Sequence, residues 1–95
     1  MNELLVRQAA ILRRFIGDYR EGALGLHSLI QRIEGIGAVL GIDAWKDATF
    51  PIVLSMEQVN AIALDSQRGL TVADKATVEN SLLELEALIR RFQTD

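Results

Sequence analysis

The chain has 95 residues, 49% of them hydrophobic, no cysteine and a net charge of −3. That length suits a single domain, residues 1–95, burying roughly 60–65% of its unfolded surface, and the lack of cysteine excludes disulfides, thiol catalysis and cysteine zinc sites and suits a reducing cytoplasm. No apolar run reaches the ~18 residues a membrane span needs, and Glu3 with no basic segment before an apolar run is unlike a signal peptide.

From Glu3 to about Tyr19, Leu5, Ala9, Leu12, Ile16 and Tyr19 recur at spacings of three and four, with Leu4, Ile11 and Phe15 widening the stripe. This is the pattern of an amphipathic helix with a broad buried face. The run Gly22-Ala-Leu-Gly25 ends it. A second helical stripe follows in Leu26, Leu29, Ile30, Ile33, Ile36 and Leu40, with Gly41 as its stop. Gly35 and Gly37 lie inside it at a cost of about 1 kcal/mol each relative to Ala, which points to close approach of a neighbouring helix. Their spacing with Gly41 is not that of a phosphate-binding loop.

Asp43 is placed to cap the next helical turn, and Asp47 adds negative charge near its start, where the helix dipole favours it. Pro51 lacks an N–H and crowds the carbonyl four residues back. Either a short helix over Ala44–Ala48 ends before Phe50 and Thr49 caps another, or one helix carries a kink near Thr49–Pro51; two pieces is the favoured expectation. Beyond Pro51, Ile52, Met56, Val59 and Ala63 share a face, and Gly69 reads as a left-handed C-terminal cap. Thr71-Val-Ala-Asp74 is a variant capping box. It opens a last helix with the stripe Val78, Leu82, Leu85, Ile89 and Phe92, an expected Glu86–Arg90 pair, and a frayed end at Thr94 and Asp95. Short connections between four main helices predict an all-α, up-and-down bundle. Its expected core joins Leu12, Ile16, Ile30, Ile33, Val59, Ala63, Leu82, Leu85 and Ile89.

No residue set suggests catalysis, a cofactor or a metal. His27 is the only histidine, none of the four serines lies in a nucleophile elbow, and the Glu-x-x-His pairs of a di-iron bundle are absent. Phe50 is expected to pack inside, Asn60 to be buried and bonded locally, and Asp65 to pair with Arg68. Charge is more telling. Residues 1–20 sum to +2 and residues 43–86 to −5. An acidic half disfavours nucleic acid, which needs Lys and Arg to replace counterions, and suits a basic protein partner.

The pattern Trp45, Asp47, Phe50, Met56-Glu57, Asn60-Ala61, Leu64-Asp65 and Leu70-Thr71 resembles a group of small helical bacterial immunity proteins associated with contact-dependent growth inhibition and related polymorphic toxins. The likeness runs from about residue 15 to 90 and is most specific across 45–71. It implies a cytoplasmic protein that binds a cognate toxin C-terminal domain, often a nuclease, and covers its active site or substrate surface. Immunity proteins diverge at that surface, so the expected partner-binding residues come from charge instead: Asp43 and Asp47 at the central turn and Glu79 and Glu86 on the last helix. Trp45 is either a core anchor or part of the interface. Two other classes fit the composition: an adaptor that self-associates through an apolar face, and a carrier of a small apolar ligand.

Overall fold

The computed structural model describes residues 2–94 and contains four helices: α1 (Glu3–Arg20), α2 (Leu26–Leu40), α3 (Asp43–Asp65) and α4 (Val72–Thr94). Each helix packs on its chain neighbour, and α1 returns to α4, so the four close into an up-and-down bundle with extents of 43 × 24 × 19 Å. The seam between α1 and α4 is the sparsest of the four.

Local chemistry sets the ends. The Asn2 side chain accepts from the amides of Leu4 and Leu5 at 2.9 and 3.3 Å and caps α1. Gly22, at φ +82°, takes the left-handed residue after it. Its N–H donates to the Tyr19 carbonyl, and that of Ala23 to Asp18, which satisfies two otherwise orphaned carbonyls. Gly41, at φ +61°, stops α2 as expected. Ile42 is the N-cap of α3 and Asp43 its first helical residue; Asp43 therefore acts on the helix dipole and not as a side-chain cap. At the start of α4 the capping box is reciprocal: the Asp74 amide donates to Thr71 Oγ1, and the Thr71 amide to Asp74 Oδ2, both at 3.0 Å.

Three local expectations are corrected. First, α3 is one helix through Pro51, so the division into two pieces does not occur. Pro51 denies the Asp47 carbonyl its helical donor, but both residues are exposed and water can replace it. Residues on both sides of the proline bury one continuous stripe, Trp45, Thr49, Ile52, Met56, Val59 and Ala63, and this packing holds the two halves in register. Second, the left-handed residue closing α3 is Gln67, at φ +51°, and not Gly69. The Gln67 amide donates to the Leu64 carbonyl and that of Arg68 to Ala63, the same pair of hydrogen bonds that closes α1. Third, helix α4 extends through Thr94; Asp95 lies outside the described residues.

All nine expected core residues are buried, Leu12, Leu82, Leu85 and Ile89 completely. The α1 stripe is narrower than expected. Leu4 and Ile11 stay exposed, and Phe15 is half-buried beneath the Arg32 guanidinium, 4.9 Å from the ring centroid. The glycines of α2 differ from each other. A Cβ on Gly35 would meet nothing, whereas one on Gly37 would stand 3.8 Å from the Trp45 indole. Only Gly37 therefore marks a contact between helices.

Candidate partner interface

The five residues expected to meet a partner fall into three environments. Trp45 is 1% exposed, and its ring meets Phe92 edge to face at 5.3 Å. It is a core anchor tying α3 to α4, which removes it from the surface. Its position on the buried stripe of α3, two residues past Asp43, dictates this.

Glu79 and Glu86 stand two turns apart on α4 and are both taken by Arg20 from α1. Arg20 Nη2 donates to Glu79 at 2.7 Å and to Glu86 at 2.8 Å, with further bonds from Nε and Nη1. The planar guanidinium offers donors on two edges, so one side chain serves two carboxylates. The bonds to Arg20 hold the Glu86 carboxyl below the usual carboxylate range, and more distant help comes from Arg90 and Arg13. The expected Glu86–Arg90 pair is thus replaced by an inter-helix clip across the sparsest seam. Arg20 offsets one of their two charges and holds both carboxylates against α1, so they are less free for a partner's cations than unpaired acids. Arg68 is likewise spoken for: it bonds Asp74 at 2.8 Å, not Asp65, and draws the Asp74 carboxyl down.

Asp43 and Asp47 are exposed and form no ion pair among the described residues. They begin an unexpected feature. Spacings of four and three carry the line from Asp43 and Asp47 through Phe50, Leu54, Glu57 and Ala61 to Leu64, and every one of these residues is exposed. Phe50 is 65% exposed and Leu64 67% exposed, so the expectation that Phe50 packs inside is overturned. α3 therefore has two opposite stripes, one in the core and one in water. The second is present in the spacing once α3 runs unbroken through Pro51; division there, the favoured expectation, would cut it in half.

Beside this outer stripe lies a groove of about 280 Å³ between α2 and α3, walled by Ile33, Gly37, Ala38, Thr49, Phe50, Val53 and Leu54. Glu34 and Glu57 stand at it from opposite helices, and Lys46 also lines it. The Glu34 carboxyl is pushed up, chiefly by its hydrogen bond to Glu57, then by burial and by the Glu57 charge. A second, wider cleft opens at one end of the bundle between the α1–α2 and α3–α4 turns, with Tyr19, half-buried Asn60, Arg68 and Lys75 on its walls. Burial there raises the Tyr19 hydroxyl, with a smaller push from the charge of Glu79. Among the described residues no three His, Asp or Glu side chains gather as metal ligands, and no helix is long and apolar enough to cross a membrane.

Comparison with family models, with curated proteins and with solved structures finds no match for this chain.

Proposed function

We propose that this protein is a binding protein of the immunity type, without catalysis of its own, which neutralises a basic toxin domain by covering its active site or substrate surface. The observation that carries the reading is the outer stripe of α3. It presents Phe50, Leu54 and Leu64 to water, with Asp43 and Asp47 at its start and Glu57 between Leu54 and Leu64. Exposed apolar side chains interleaved with carboxylates suit contact with a protein partner. α3 as a whole carries four carboxylates, Asp43, Asp47, Glu57 and Asp65, against Lys46 alone, and none of these forms an ion pair among the described residues. A basic groove, such as a nuclease uses for its substrate, is complementary to such a surface. A second copy of this chain would set one acidic stripe against another, so the charge disfavours the self-associating adaptor.

The test is growth of cells that express a basic toxin domain, sought first among the genes adjoining this one, rescued by wild type or by the reversal Asp43→Lys/Asp47→Lys/Glu57→Lys. Among the described residues none of the three acids forms an ion pair, so helical circular dichroism should be unchanged while protection is lost. Binding should also slow as added salt shortens the ~8 Å screening length. Full protection by the triple variant, or a toxin surface that is itself acidic, refutes the proposal.

A further inference from the structure

Between the α1–α2 and α3–α4 turns the bundle ends in a cleft of about 600 Å³. That volume falls within the ~300–1,000 Å³ usual for small-molecule sites, which are mostly apolar with a few placed polar groups. Leu24 and Leu26 from the first hairpin and Ala63, Leu64 and Leu70 from the second supply the apolar walls.

The hydrogen-bonding groups on those walls are unbalanced. The one carboxylate among them, Glu79, gives both oxygens to Arg20. Arg68 spends Nη1 on Asp74 and on the Gly69 carbonyl, while its Nε and Nη2 make no hydrogen bond among the described residues. Lys75 forms no ion pair among the described residues. The half-buried Tyr19 hydroxyl and Asn60 amide make no side-chain hydrogen bond there either. Asp18, Glu21 and Asp65 belong to the same end of the bundle but lie outside these walls. The unspent capacity is therefore chiefly that of donors: an ammonium, one edge of a guanidinium, a phenol O–H and an amide NH₂. Here the acids are taken and a cation is left over, the reverse of the outer stripe of α3.

We infer that this cleft binds a small carboxylate with an apolar body, its head held by Lys75 and the free edge of Arg68, with Tyr19 and Asn60 donating beside them, and its tail on the leucines of the two hairpins. A carboxylate offers acceptors alone, about four lone-pair sites, so it satisfies several donors at once, and its bonds to cationic donors are the stronger kind. A neutral ligand leaves the Lys75 charge unmatched, and a cationic one opposes it. The apolar body matters because an exposed ammonium holds a bare carboxylate only weakly. The ligand would touch both hairpins and so stabilise the folded chain by mass action. This inference does not rest on the toxin reading, since Asp43, Asp47 and Glu57 all lie outside the cleft.

The probe is octanoate, titrated into the full chain and followed by NMR, with octan-1-ol and acetate as comparisons. Tyr19 is the sole tyrosine, so its ring signals report the cleft without ambiguity. Trp45, the sole tryptophan, is buried outside the cleft and serves as the control. Octanoate should shift the Tyr19 ring, the Asn60 side-chain amide and the Leu24 and Leu70 methyls, leave Trp45 in place, and raise Tm as its concentration rises. Octan-1-ol has the same chain without the charge, and acetate the charge without the chain; each should bind at least about tenfold more weakly. Lys75→Met, at an exposed residue without an ion pair, should fold normally and erase most of the preference for octanoate over octan-1-ol. Lys46→Met, which removes an equal charge from α3, should keep it. Equal binding of octanoate and either comparison, shifts centred on Trp45 or elsewhere outside the cleft, or no shifts at all would overturn the inference. So would an unchanged preference in Lys75→Met, or a preference lost equally in Lys46→Met.

Discussion

Replacing Arg20 with methionine removes the guanidinium that joins α1 to α4 and keeps an apolar stem of similar reach. The side chains of Arg20, Glu79 and Glu86 are 33%, 44% and 25% exposed, so water screens the clip in part. An exposed pair contributes about 0.2–1 kcal/mol. Two pairs sharing one well-formed fork, and partly shielded on the Glu86 side, should together contribute about 1–2 kcal/mol at pH 7 and low salt. For a domain of this size each kcal/mol moves Tm by about 4–8 °C. The pH dependence has a definite sign. Bonding to Arg20 lowers the folded-state value of Glu86 below its ordinary ~4.3. The stabilisation is therefore fully present above the ordinary carboxylate range and is lost as pH falls through the lowered folded value. Urea unfolding of wild type and Arg20→Met at pH 7 and pH 2.5, each at low and high salt, measures this. The gap should shrink in acid and in salt, and a cycle with Glu86→Gln should show coupling. A gap below about 0.3 kcal/mol at pH 7, or one unchanged at pH 2.5, would refute the clip as a stabilising device.

Leu85 is fully buried at the centre of α4, so Leu85→Ala should cost about 2–5 kcal/mol by denaturant unfolding; a loss below about 1 kcal/mol would contradict that packing. Gln67 holds a left-handed conformation that suits glycine, so Gln67→Gly should raise stability by about 0.5–1 kcal/mol. Gly69→Val, at a position with ordinary φ and open space for a Cβ, should stay within about 0.5 kcal/mol of wild type in the same denaturant unfolding. Because the neighbouring Glu57 raises the Glu34 carboxyl, Glu34→Gln should stabilise the free protein at neutral pH, and the gain should fade as acid protonates Glu34 in the wild type.

Much of this fold follows from interactions within a few residues of chain, and those were legible in the sequence. The reciprocal Thr71–Asp74 cap spans three residues, the Gly41 stop needs only a missing Cβ, and the core stripes repeat within each helix, so each could be inferred without its neighbours. The candidate site was legible only at its edge, in Asp43 and Asp47. What the tertiary structure decided is how competing local options were resolved. Arg20 could not be matched to Glu79 and Glu86 from spacing, because the three meet only when α1 closes against α4; the local Glu86–Arg90 option lost to that better-shaped fork. Pro51 looked like a break because its cost is local, whereas the packing that outweighs it comes from the other helices. Trp45 and Phe50, both aromatic and five residues apart on α3, parted to opposite fates: the bundle closed over one face of that helix and left the other in water. Burial is a property of which faces meet, and no residue carries that in its own identity.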